Sequence, residues 1–109
     1  MFKRENRLPR GIGFRGMSFF PTPFFVLKVR KNELALNRFG VVVSKKIDKR
    51  ASFRNRIKRM VRKIFIDLNK EMAGYDILLI ARLGIVSTTD DRISFAIRET
   101  LKKGGCIKQ

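Results

Sequence analysis

The spacing of apolar residues divides the chain into five predicted elements. Residues 23–30 alternate as a strand does, with Phe25, Leu27 and Val29 on one face and Phe24, Val26 and Lys28 on a second, wetter face. Residues 38–44 give another strand, in which Gly40 leaves room for close backbone access. Residues 75–83 form a nearly all-apolar, buried strand. Residues 87–103 give a closing helix with acids near its start.

The clearest helical pattern lies between residues 53 and 68. At the angular step of a helix, its apolar side chains fall within an arc of roughly 140°. They are Phe53, Ile57, Met60, Val61, Ile64, Phe65 and Leu68. The order strand, strand, helix, strand, helix predicts a mixed sheet with both helices on one face. The second face of the sheet is then left open.

Composition adds a strong charge to this picture. The 109 residues suit a single domain, 1–109, with a formal net charge of +17. Residues 1–17 are basic and interrupted by Pro9, Gly11, Gly13 and Gly16, which predicts an irregular N-terminal arm. No apolar run approaches the roughly 18 residues of a membrane span. With no signal-peptide pattern and with Cys106 as the single cysteine, we expect a cytoplasmic protein whose thiol is incidental.

The stretch "KKIDKRASFRNRIKRMVRKIF", residues 45–65, concentrates the charge. Opposite the apolar arc lie Asn55, Lys58, Arg59, Arg62 and Lys63, with Arg56 nearer one edge. A solvated helix face normally mixes signs, but no acid occurs between Lys49 and Ile66. The face is therefore predicted to meet the phosphates of a nucleic acid.

Two side chains in this stretch call for separate treatment. Arg54 falls inside the apolar arc, so we expect it to reach past the sheet edge toward the open face, beside Lys45 and Lys46. Asn55 carries a donor and an acceptor, so it is suited to orient an arginine, hold a metal-bound water or touch a base edge. The residues alone do not choose among these roles.

The open sheet face suggests a surface for a single nucleic-acid strand. Phe24, Val26 and Lys28 would let a base stack while a cation holds the phosphate. The alternative is that the N-terminal arm covers Phe24, which would then belong to the core.

At this point the ordered set "FGVVVSKK", "RNRIKRMVRKIF" and "GYDILLIAR" resembles the protein subunit of bacterial ribonuclease P. The resemblance runs from about residue 24 to residue 82. It implies an α+β two-layer sandwich with a left-handed βαβ crossover, like the second domain of ribosomal protein S5 and an exception to the usual right-handed rule. It also implies a monomer bound 1:1 to the ribonuclease P RNA. That RNA cleaves precursor tRNA to make its mature 5′ end and holds most of the Mg²⁺.

The resemblance also implies roles for individual residues. The 5′ leader cleft would contain Phe14, Phe24, Val26 and Lys28. The RNA-binding set would be Lys45, Lys46, Arg54, Asn55, Arg56, Lys58, Arg59 and Arg62. The chain departs from the family at its N-terminus, where Pro9, Gly11 and Gly13 stand in place of a helix. Phe14 is expected to replace an aromatic that this helix supplies.

Other function classes fit less well. A self-sufficient enzyme is disfavoured because the chain has no His, and Asp90 and Asp91 are explained by helix capping. A protein of membrane surfaces would need exposed apolar residues beside the basic ones. A ribosomal or general RNA-binding protein remains the alternative, since it would need the charge but no cleft.

Overall fold

A computed structural model describes residues 4–9 and 16–107 of the chain. Within these ranges lie four strands and two α-helices, together with short 3-10 segments at Arg4–Asn6, Asn69–Glu71 and Leu83–Ser87. The bounds of the main elements are β1 (Ser18–Pro21), β2 (Phe25–Lys31), β3 (Arg38–Val42), α1 (Ala51–Leu68), β4 (Tyr75–Ala81) and α2 (Asp90–Lys103).

The four strands form one mixed sheet in the order β1-β2-β4-β3. β2 is antiparallel to both β1 and β4, whereas β3 and β4 are parallel and joined through α1. The predicted α+β sandwich with a βαβ crossover is thus confirmed. The left hand of this crossover stays a prediction.

Strand β1 was not predicted from the sequence. Pro21 ends it, and a proline is tolerated there because β1 lies at the sheet edge, where a missing N–H costs no ladder bond. Thr22 then makes the turn, since its Oγ1 accepts hydrogen bonds from the backbone N–H groups of Phe24 and Phe25 at 3.2 and 3.0 Å. β1 and β2 therefore form a hairpin.

One apolar core lies between the sheet and the two helices. The predicted inward face of β2 is confirmed, because its Phe25, Leu27 and Val29 are buried. The helices contribute residues at helical spacing, namely Ile57, Val61, Phe65 and Leu68 from α1 and Ile93, Ile97 and Leu101 from α2. Both helices therefore cover the same face of the sheet.

The described part of the N-terminal arm is attached beside β3. The backbone N–H of Leu8 donates to the carbonyl of Phe39 at 2.9 Å, next to a parallel bridge between Arg7 and Phe39. The Leu8 side chain lies over Gly40, where an added Cβ would come within 3.3 Å of it and 2.9 Å of Leu78. The small residue in β3 thus lets the arm close over one edge of the otherwise open face.

A buried carboxylate ties three elements together at the other end of the sheet. Asp76 of β4 accepts two hydrogen bonds from Arg38 of β3 at 2.8 Å, one from Arg30 of β2 at 3.2 Å and one from Asn32 at 2.9 Å. Burial acts to raise the pKa of Asp76. The hydrogen bonds from Arg38, Asn32 and Arg30 outweigh burial and hold this pKa below its usual value.

We predict that Asp76→Asn lowers the free energy of unfolding at pH 7 by ~3 kcal/mol, because it leaves two arginines without their buried partner. The folded-state pKa of Asp76 lies below the unfolded value, so its stabilisation is complete above the unfolded pKa of about 3.9 and is lost as pH falls through the folded pKa. Urea unfolding at pH 7 and pH 3 measures both effects. Asp67→Asn, at an exposed position, should change stability by less than ~0.5 kcal/mol, and equal losses in the two variants would contradict the assignment.

Candidate nucleic-acid interface

The outer face of α1 carries a row of cations that no acid in the described part of the chain neutralises. Arg59, Arg62 and Lys63 are exposed and Lys58 is half-buried. In the described part of the chain, none of these four side chains makes a hydrogen bond or an ion pair. We call them the cationic ridge. Such a row is unfavourable in isolation and becomes favourable next to an anion.

The turn before α1 uses the only acid of the basic stretch. Asp48 accepts hydrogen bonds from Nη2 and Nε of Arg50 at 2.8 and 3.0 Å and from the backbone N–H of Arg50 at 2.8 Å. These hydrogen bonds lower the pKa of Asp48 to about 2. Asp48 is therefore engaged with its neighbour, while Lys45 and Lys46 in the same turn remain exposed.

Arg54 does not reach the open sheet face, which corrects the sequence-based expectation. Its Nη1 donates to the backbone carbonyls of Asp48 and Lys49, at 2.9 and 2.8 Å. A half-buried arginine is accommodated here because these carbonyls satisfy it. Arg54 therefore holds the turn that presents Lys45 and Lys46.

The residues on either side of Arg54 are placed differently. Arg56 lies 5.4 Å from the centre of the Phe53 ring and 3.6 Å from Asp90 of α2. Asn55 is exposed and makes no hydrogen bond in the described part of the chain. It therefore contacts no arginine by a hydrogen bond within the described residues, and all three roles suggested for Asn55 stay predictions.

The open face of the sheet carries an aromatic residue that sequence reasoning missed. Phe19 of β1 is 60% exposed and pairs across the hairpin with Lys28, whose Nζ lies 6.0 Å from the centre of the ring. Val26 and Ile80 are paired neighbours on the same face, and Val42 follows across β4. The signal for this residue in the sequence was the pair of aromatics in "SFFP", because neighbouring residues of a strand point to opposite faces. We call this surface the open-face platform: Phe19, Val26, Lys28, Val42 and Ile80.

Phe24 does not belong to this platform. It precedes the first residue of β2, packs against the core and lines a groove with Phe95 and Ala96 of α2. The expectation that Phe24 shares one surface with Val26 and Lys28 is therefore corrected. The cause is the Thr22 turn, which places Phe24 ahead of the strand. Phe14, the fourth residue expected in the cleft, lies outside the described residues.

The described residues offer binding groups more than reactive ones. Within residues 4–9 and 16–107, no three His, Cys, Asp or Glu side chains lie together as metal ligands would. Burial raises the pKa of Cys106 to about 11, so its thiol is protonated at neutral pH. No helix in these ranges is long and apolar enough to cross a membrane.

Comparison with known proteins identifies relatives along nearly the whole chain. The family model described as ribonuclease P matches residues 2–105. The ribonuclease P protein component of Clostridium botulinum (strain Loch Maree / Type A3) is 38% identical, with 94% of this chain and 92% of that protein covered. That of Haemophilus influenzae (strain PittGG) is 41% identical, with 77% and 74% covered.

Solved structures agree with these relatives. The RNase P protein of Staphylococcus aureus superposes with a TM-score of 0.83 at 27% identity, with 94% of this chain and 98% of that chain covered. The RNase P protein of Thermotoga maritima gives a TM-score of 0.63 at 29% identity, with 83% and 82% covered. The mixed sheet and the two helices therefore match structures of this family.

We predict that the basic residues of α1 separate into two groups by their effect on stability. Arg54→Ala should lower the free energy of unfolding by ~1–2 kcal/mol, because the half-buried carbonyl of Asp48 and the exposed carbonyl of Lys49 lose a charged donor. Arg59→Ala, which removes an exposed side chain without a partner, should change it by less than ~0.5 kcal/mol. Urea denaturation followed by circular dichroism checks both values. Similar losses in the two variants would mean that Arg54 does not hold the turn.

Proposed function

Because this chain belongs to the ribonuclease P protein family and is a protein component of that endoribonuclease, we propose that it acts by holding RNA on two separate surfaces. The cationic ridge of α1 binds the ribonuclease P RNA, and the open-face platform binds the 5′ leader of precursor tRNA. The observation that carries this proposal is the ridge of four cations, which have no partner within the described residues.

The ridge supplies most of the affinity for the catalytic RNA. Each phosphate that it neutralises releases condensed counterions, so binding is strong at low salt and weakens as salt is added. Lys45 and Lys46 extend the cationic surface before α1. Asn55 and Arg56 lie at its start, where Asn55 can touch a base edge or a metal-bound water. Arg54 contributes indirectly, by holding the turn.

The platform supplies the contact to the leader. A base can stack on Phe19, which contributes ~1–3 kcal/mol per base in single-strand binding, while Lys28 lies next to the ring to meet a phosphate. Val26 and Ile80 provide an apolar surface over which the single-stranded leader can pass. Because the product tRNA has lost its leader, these contacts stabilise substrate and not product. They therefore favour product release.

The bond-making step belongs to the RNA in this proposal. The described residues bring no three carboxylates together, so they do not fit a magnesium site with direct protein ligands. We therefore assign the Mg²⁺ to the RNA, where it would supply the activation of the attacking water. The protein binds and orients the two RNAs and reduces the repulsion between their phosphates. We further infer one protein per RNA, since the described residues of each chain form one ridge and one platform. In keeping with the sequence-based expectation, we also infer that the protein acts in the cytoplasm.

We expect the protein to accelerate cleavage of precursor tRNA by a bacterial ribonuclease P RNA at low Mg²⁺, and the gain to grow with leader length up to several nucleotides. The measurement is single-turnover cleavage with and without the protein, on substrates that differ only in their leaders. Tight RNA binding without any change in cleavage would instead favour a ribosomal or general RNA-binding role. Equal acceleration for all leaders would remove the platform from the proposal.

We predict that Phe19→Ala reduces the preference for leader-bearing over leaderless tRNA by about tenfold, as expected for one lost stacking contact. Phe95→Ala is the matched control, because Phe95 is 66% exposed and lies on α2, away from the platform. Equilibrium binding of both tRNAs to the protein–RNA complex gives the ratio. Loss of preference in both variants, or in neither, would contradict the platform.

A further inference from the structure

The described N-terminal segment and the second half of α1 enclose a groove of about 780 Å³. Its apolar lining comes from Met60 and Ile66, and its carboxylate is Asp67. Arg7 lies on one side, and Arg59, Arg62 and Lys63 lie on the helix side. The groove has the volume of a small-molecule site and a far more basic lining than is usual for one.

The apolar lining is unusual for the outer face of α1. Ile66 is 36% exposed, whereas four other apolar residues of this helix are buried. Met60 also lines the groove, but it is half-buried against the core and Lys63 lies between it and Ile66 at helical spacing. A flat, partly apolar group can thus lie on Ile66.

The charged lining is available to a ligand. Neither Asp67 nor any of the four cations that line the groove makes an ion pair or a hydrogen bond in the described part of the chain. These cations are Arg7, Arg59, Arg62 and Lys63. Asp67 follows Lys63 by one helical turn, the spacing at which a pair commonly forms, yet no such pair is present. The groove therefore offers separate donors for phosphate and one acceptor for an N–H group.

We propose that this groove takes one unpaired nucleotide of the RNA bound to the ridge. The base lies on Ile66, the phosphates that flank it meet Arg59 and Arg62, and Asp67 accepts a hydrogen bond from an exocyclic amino group. The site rests on the proposed function, because it needs RNA on α1. It adds recognition of a base to an interface otherwise made by charge.

This assignment makes a prediction about which base is preferred. Cytosine presents an amino group where uracil presents a carbonyl oxygen, and the two bases are otherwise of similar shape. A carboxylate accepts a hydrogen bond from the first and repels the second. A bulged cytosine should therefore bind better than a bulged uracil, and a bulged uracil should bind no worse than a paired stem.

The test measures binding of the full chain to three short RNA hairpins of one stem sequence, which are fully paired or carry a single bulged C or U. We expect the bulged-C hairpin to bind about five- to tenfold more tightly than the paired one, near the lower limit for a base on an aromatic ring, because Ile66 is aliphatic. Ile66→Ser should remove this preference without changing the slope of log Kd against log salt, because no charge is lost. Asp67→Asn should keep binding of the bulged hairpins but make C and U equal.

Leu83→Ser is the matched control, since Leu83 is 65% exposed and lies in the 3-10 segment before α2. It should leave all three affinities within about twofold of the wild type, and circular dichroism confirms that each variant is folded. Equal binding of the three hairpins by the wild type, or a preference that survives Ile66→Ser, overturns the groove assignment while leaving the proposed function intact. Failure of the wild type to bind any RNA would overturn the proposed function itself.

Discussion

Repulsion among the cations of α1 is the constraint around which this protein is organised. A helix with no acid between Lys49 and Ile66 gains little from its own side chains, so its stability must come from packing. Ile57, Val61 and Phe65 supply it, and Phe65 stacks on Phe39 of β3 with ring centres 4.8 Å apart. Packing against the sheet thus stabilises α1 enough to offset the repulsion among the cations on its opposite face.

The few acids are used where position matters more than charge balance. Asp76 holds Arg38 and joins three strands, and Asp48 holds Arg50 ahead of α1. At the helix surface, Asp90 meets Arg56 and connects the starts of α1 and α2. Arginines with such partners maintain the fold, whereas the cationic ridge has no acidic partner among the described residues. The division between the structural cations and the proposed RNA-binding cations therefore follows the placement of the acids.

Local patterns in the sequence predicted most of this architecture, and the errors of that prediction have physical causes. Alternation and helical spacing report which face is buried, so β2, α1 and their inward residues were predicted correctly. They do not report where a strand starts. The sequence analysis therefore missed the Thr22 turn, assigned Phe24 to the open face of the sheet and did not predict β1. The Arg54 contacts depend on the shape of a turn. The Asp76 contacts join residues about 40 positions apart, which no local pattern encodes.

The unneutralised ridge gives salt two opposite effects on this protein. In the free chain, added salt screens the repulsion between neighbouring cations of α1, so it favours the folded helix. In the proposed complex, the same ions would compete with the ridge for phosphate and weaken association. RNA and salt would thus relieve the same electrostatic repulsion as alternatives to each other. If the ridge binds RNA as proposed, replacing a ridge cation by glutamate would stabilise the isolated protein and weaken its association with RNA, which is a trade of function for stability.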